Sequence, residues 1–269
     1  MSTSRKLYIQ LAVIVSAFYL SLTYLPQITG TCLDGECGFS AVEIAVSIAF
    51  PVAFFMMPVV LEMAIYRKNL RQSLNDIGIT RFSWMGIRLA VIYVMPLILF
   101  NPLYAMTTNT PLQIKPTWVW FVLSALLVNG LAEETMMRGY IFRHLREEHR
   151  FWRAATLSTL YFAAYHLPLI LTFGPMIGIV SVIMAIPLGF LTAYTYERGN
   201  NTIWGPGLLH AVNNALAYVF VFTPETQAVA SSLYIGTGIL TAMIMMVWAY
   251  RANYGRKTAR TLQPAVSSV

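Results

Sequence analysis

PTWVWFVLSALLVNGLAEETMMR, residues 116–138, decides the fold. From Trp118 to Ala132 the run is apolar and carries no charge. Two adjacent carboxylates, Glu133 and Glu134, then precede Arg138. A helix needs about 20 apolar residues to cross the hydrocarbon core of a bilayer. Residues 116–137 therefore read as a membrane span that ends in ionisable groups. The helix is expected to continue as an amphipathic stretch to about Glu148.

Working outward, the same criterion predicts eight spans, roughly 7–29, 41–65, 84–106, 116–137, 154–173, 176–196, 202–222 and 229–250. Composition agrees. The 269 residues are 57% hydrophobic and 11% charged, whereas a soluble domain carries about 25% charged residues. Such a chain could not hide its apolar surface in water. The expected fold is all-α and polytopic, with a single membrane domain over 1–254, a motif core at 116–222 and a short basic tail at 255–269. Pro51, Pro58, Pro96, Pro102, Pro168, Pro187 and Pro206 interrupt spans, where neighbouring helices can satisfy the freed backbone groups. Arg5 and Lys6 precede an apolar run too long for a signal-peptide core, so 7–29 reads as the first span.

Basic residues test this count, because loops rich in Lys and Arg stay on the cytoplasmic side. With eight spans, every one of the 18 lysines and arginines except Lys115 falls on one face. Both termini are thus expected in the cytoplasm. The loop carrying Cys32 and Cys37 is expected outside, which favours a disulfide there over free thiols. The net charge of +7 needs no nucleic acid: basic residues flank helices to fix topology and to suit anionic headgroups. No basic face or aromatic platform is available for nucleic-acid binding.

Ionisable groups inside spans are costly and usually functional. Most acids here lie in loops or near helix ends. The remainder are Glu133, Glu134, His166 and His210, joined by the uncharged Asn129, Asn213 and Asn214. They come from three predicted helices, and one shared polar site accounts for them economically. Glu134 and Arg138 are four apart with the acid first, the favourable order for a helical ion pair. Glu133 lies about 100° around the helix, free to point into the bundle. Phe162 and His166 share a face, as do His210 and Asn214. Asn213 reads as the bystander. Gly205-Pro206-Gly207 is expected to loosen the start of its helix and admit water or a substrate backbone.

At these residues the chain resembles the CPBP intramembrane protease family, also called the type II CAAX prenyl endopeptidase or Abi family, which includes bacteriocin-processing members. Its three motifs are matched in order: Glu-Glu-x-x-x-Arg as Glu133-Glu134-Thr135-Met136-Met137-Arg138, Phe-x-x-x-His as Phe162 to His166, and His-x-x-x-Asn as His210 to Asn214. The resemblance implies eight helices around a cytosol-facing polar cavity. It implies Glu133 as the activator of water, His166 and His210 beside it, and Asn214 holding the oxyanion. Glu134, Arg138 and Phe162 would support them. The family includes proteases that trim prenylated proteins, and bacterial members acting in peptide maturation and bacteriocin immunity.

The chemistry also stands on the residues. Peptide hydrolysis needs an activated water, an acid for the leaving amine and stabilisation of an oxyanion. A carboxylate in an apolar site binds a proton more tightly than in water and can serve as base and then acid. No Ser or Cys has a paired base within the spans, and His-Glu-x-x-His is absent. Two histidines and one glutamate nonetheless match a catalytic zinc site with an open position. In that reading Glu133, His166 and His210 are ligands and Glu134 is the base. The metal-free reading takes Glu133 as base. Both stay open at this point.

Two other functions compete with the endopeptidase. A proton-coupled transporter is disfavoured by the absence of repeats. A non-proteolytic scaffold or bacteriocin-immunity protein is disfavoured by the intact motifs. The expected partners are a membrane protein or peptide substrate and the lipid bilayer. The short loops and plain plan fit a multi-pass protein of a bacterial inner membrane. The residues name neither the substrate nor the oligomeric state.

Overall fold

A computed structural model describes residues 41–172 and 174–251. The predicted first span and the Cys32/Cys37 loop lie outside the described residues, as does the whole basic tail. The described chain is a helical bundle: α1 Ala41–Tyr66, α2 Leu70–Ile77, α3 Trp84–Thr108, α4 over residues 118–148, α5 Phe151–His166, α6 Leu169–Thr172, α7 Pro175–Arg198, α8 Trp204–Val219 and α9 Pro224–Arg251. Two short strands, β1 Gln113–Ile114 and β2 Phe220–Val221, pair antiparallel. Helices occupy seven of the eight predicted stretches. By length and apolarity, four described helical stretches qualify as membrane spans: Trp84–Thr108, Phe151–Leu171, Pro175–Arg198 and Pro224–Arg251. The chain is thus built as an all-α, multi-pass membrane protein. Met106, Leu171 and Met176 are largely exposed, as lipid-facing side chains are.

Helix α4 packs against α1, α5 and α8 and is not a plain α-helix. It is α-helical over Trp118–Ser124, π-helical over Ala125–Glu133 and Thr135–Phe142, and α-helical again over Arg143–Glu148. Wide turns of this kind are rare and concentrate at functional sites. Here they flank Glu134. Residues 132–142 of α4 are all buried, while Leu126 and Leu127 face outward.

Small residues bring α8 against its neighbours, as small residues do at membrane helix interfaces. A Cβ on Gly207 would lie 2.7 Å from the Gly130 carbonyl oxygen, and one on Gly205 would lie 2.7 Å from that of Gly86. Gly205, Pro206 and Gly207 are all buried within α8. The expectation that they open the helix start is therefore corrected: they let α3 and α4 approach it. At the end rich in basic residues, α2 begins with reciprocal bonds between Asn69 and Gln72 at 2.9 and 3.1 Å. It ends on Gly78 at φ +94°, packed against the Asn201 carbonyl.

That end also holds a second buried charge. Glu62, on α1, is fully buried. It pairs with Lys68 at 2.8 Å, with His144 at 2.7 Å and with Arg143. Tyr66 stacks on His144, ring centroids 4.3 Å apart. Glu62 is one of the acids that lie near a predicted helix end. The fold uses Glu62 to tie α1 to α4.

Candidate active site

Three residues past the Gly130–Gly207 contact, α4 carries Glu133 and α8 carries His210. Both side chains are nearly inaccessible, as are Glu134 and Arg138. Glu133 Oε1 accepts a hydrogen bond from Asn129 Nδ2 at 3.0 Å, one turn back. Its Oε2 is buried and has no hydrogen-bond partner among the described residues. The nearest ionisable partner of that oxygen is His210 Nε2, at 3.9 Å. This is too long for a direct hydrogen bond.

Glu134 turns the other way. Its Oε1 lies 2.8 Å from His210 Nδ1 and its Oε2 lies 3.2 Å from Arg138 Nε. The expected Glu134–Arg138 pair is present, and the carboxylate also reaches into the site. An ionised carboxylate only accepts hydrogen bonds, so Nδ1 of His210 is the donor. Its Nε2 then faces Glu133. Arg138 is held from α7: Nε donates to Thr192 Oγ1 at 2.7 Å, and Nη2 donates to the Gly189 carbonyl at 3.3 Å and to Thr192 Oγ1. The Thr192 hydroxyl in turn donates to the Leu188 carbonyl at 2.9 Å.

His166 is half-buried at the end of α5. Its Nδ1 lies 2.7 Å from the Phe162 carbonyl and must donate to it, which leaves Nε2 as the acceptor. Phe162 is the hub of the cluster. His166 and His210 stand edge-on to its ring at 4.7 and 5.5 Å, and the Arg138 guanidinium lies over it at 4.7 Å. Asn214 is half-buried one turn beyond His210, on the face its spacing predicts.

Glu133, Glu134, Arg138, Phe162, His166 and His210 are therefore linked at one place between α4, α5 and α8, and Asn214 follows His210 by one turn of α8. Among the described residues, α4 is buried on all sides from Ala132 to Phe142. Asn129, His166 and Asn214 form the more open edge. A groove of about 630 Å³ between α3 and α9, lined by Leu99, Phe100 and Tyr104 among others, is apolar and holds none of the site residues.

The donor set of His166, His210 and Glu133 has zinc chemistry. As arranged it does not fit the ion: among the described residues, no three His, Cys, Asp or Glu side chains come close enough together to hold a metal.

Two contributors were not legible as site residues. Thr192 lies 54 positions from the Arg138 it anchors, and nothing in its surroundings distinguishes it from other span threonines. Asn213 reads as a bystander, yet it is buried and bonded to Asn214. Asn129 was legible, because it sits four residues before Glu133.

Residues 115–216 match the family model described as Type II CAAX prenyl endopeptidase Rce1-like. This is the family that the three motifs resemble, and all motif positions fall inside the matched stretch. Comparison with the curated proteins finds no match.

Proposed function

We propose that the chain is an intramembrane endopeptidase that hydrolyses peptide bonds of membrane-associated proteins or peptides. The observation that carries the reading is the buried Oε2 of Glu133, unpartnered among the described residues, facing Nε2 of His210 across 3.9 Å. A buried polar atom without a partner costs about 1–3 kcal/mol. Beside His210, this oxygen is free to take a hydrogen bond from an attacking water.

The roles follow from the donors and acceptors. Glu133 takes a proton from the attacking water as the water oxygen bonds to the scissile carbonyl carbon. His166 Nε2 accepts the other hydrogen of that water and fixes its direction. The oxyanion that forms is held by the Asn214 amide and by His210, whose Nε2–H is favoured when Glu134 steadies the imidazolium. Collapse breaks the C–N bond, and the proton on Glu133 passes to the leaving amine. Donors fixed before reaction cost no reorganisation as charge develops. Arg138 and Thr192 hold Glu134, and Phe162 holds both rings. No step runs through a metal.

Substrate would arrive along the open edge of Asn129, His166 and Asn214. With eight spans, all basic residues but Lys115 would fall on one face, which supports cytoplasmic termini. The family match to residues 115–216 supports CAAX-type substrates as the first to try.

The test is reconstitution in liposomes with two quenched fluorescent peptides, one farnesylated with a C-terminal CAAX sequence and one spanning the membrane without a prenyl group. Wild type should cleave at least one, and Glu133→Ala and His166→Ala should cleave neither. Cleavage of neither by wild type, or unchanged cleavage by both variants, overturns the proposal.

A further inference from the structure

Asn213 sits beside the site residue Asn214, with its side chain in the packing between α3, α8 and α9. Its Nδ2 donates to Asn214 Oδ1 at 3.1 Å. Its Oδ1 accepts from the Tyr93 hydroxyl of α3 at 3.0 Å. Its main-chain carbonyl accepts from the Tyr234 hydroxyl of α9 at 2.8 Å. Tyr93, Asn213 and Tyr234 are all buried. Helix α9 comes close at Gly238, where a Cβ would lie 3.4 Å from the Tyr93 hydroxyl and 3.7 Å from Asn213 Oδ1.

The direction of these bonds matters for Asn214. A side-chain amide is nearly symmetric in shape, and its last torsion is a broad, roughly two-fold rotor. One face offers donors and the other an acceptor. An acceptor turned toward a forming oxyanion would repel it. With Oδ1 of Asn214 occupied by Asn213, the amide is left to present its N–H groups.

We propose that Asn213 is a positioning residue that selects the donor face of Asn214, and that Tyr93 sets the Asn213 amide for this purpose. The proposal rests on the endopeptidase reading above. Asn213 touches no reacting atom. Its effect passes wholly through Asn214 and appears only when negative charge develops. Interactions made only in the transition state change kcat and leave KM alone.

The experiment is a double-mutant cycle on the reconstituted full chain, using the quenched peptide that wild type cleaves. Asn213→Ala and Tyr93→Phe should each lower kcat about threefold to tenfold at constant KM, a fraction of the 10²–10³-fold attached to a whole oxyanion donor. In an Asn214→Ala background both effects should vanish, because no amide remains to orient. Thermal midpoints in detergent report folding separately. A loss of the same factor in the Asn214→Ala background overturns the proposal, as does a loss confined to KM or no loss at all. If wild type cleaves neither peptide, the endopeptidase reading falls instead, and that outcome is distinct from a wild type that cleaves with an additive cycle.

Discussion

Nδ1 of His210 lies 2.8 Å from Oε1 of Glu134, so the second carboxylate of the Glu-Glu pair, and not the first, holds the imidazole. The two acids thus divide their work by direction. Glu133 meets the outer nitrogen of His210 across a gap, while Glu134 grips the inner one.

Replacing Glu134 tests that division. Glu134→Gln keeps the shape but removes the charge that steadies a protonated His210, and its amide can turn a donor toward Nδ1. General acid–base and orienting groups are worth about 10²–10⁴-fold. A fall in kcat of about 10²-fold is expected with little change in KM. Steady-state cleavage of the quenched peptide measures it, and a shift confined to KM would place Glu134 outside the reaction.

Glu133→Gln separates function from stability. The variant cannot take a proton from water, so turnover should drop at least about 10³-fold. The buried Oε2 without a partner is a cost the folded chain bears. Neutralising it should hold or raise the thermal midpoint in detergent. A variant that loses activity by unfolding would show the opposite.

The Gly130–Gly207 contact sets the spacing of the reaction centre, since each glycine lies three residues before Glu133 or His210. A methyl group on Gly207 would meet a backbone carbonyl at 2.7 Å, which no side-chain rotation relieves. Gly207→Ala should push α4 and α8 apart at a cost of about 1–3 kcal/mol. Displacing reacting groups by about 1 Å can cost 10²-fold in rate. Activity should therefore fall by more than tenfold while the folded protein remains recoverable. Size-exclusion profile and kcat, taken together, decide it.

Much of this was legible in the sequence because membrane helices are specified by local apolarity. Seven of the eight predicted stretches coincide with described helices, and the four-residue spacings of Glu134–Arg138, Phe162–His166 and Asn129–Glu133 translate directly into contacts. What could not be read was tertiary. Thr192 meets Arg138 and Tyr93 meets Asn213 only because α7 and α3 are carried beside the site, and single polar residues in apolar spans look alike until a partner arrives. The π-helical turns of α4 were likewise invisible, because they rearrange backbone bonds without changing the apolar pattern. Gly205 and Gly207 were misread since glycine serves both to loosen a helix and to let another approach, and only the neighbour tells which.

Glu62 offers a stability test away from the reaction centre. It is fully buried and holds Lys68, Arg143 and His144. Removing one member of a fully buried ion pair costs about 3–5 kcal/mol, an upper bound here because Lys68 keeps Asp76 and Arg143 keeps Glu147. Glu62→Gln keeps hydrogen-bonding capacity and should fall near the lower end. The thermal midpoint should drop clearly, while kcat per folded molecule stays near wild type. An unchanged midpoint would mean that the basic side chains find water instead.

Chelation tests the assignment of Glu133 as base. A zinc ion needs its ligands at about 2.0–2.2 Å, so three donors must converge on one point. His210 Nε2 and Glu133 Oε2 approach to 3.9 Å, but no third His, Cys, Asp or Glu completes a group among the described residues. His166 joins through Phe162 instead. If Glu133 acts without metal, incubating the active protein with EDTA or 1,10-phenanthroline should leave the cleavage rate unchanged, and purified active protein should hold far less than one zinc per chain by elemental analysis. Inhibition reversed by added zinc would reassign both acids: Glu133 would become a ligand and Glu134 the base. The Glu134→Gln variant would then lose activity as completely as Glu133→Gln, instead of about tenfold less. Metal content and the ranking of the two glutamine variants must therefore agree, and a disagreement would reject both mechanisms.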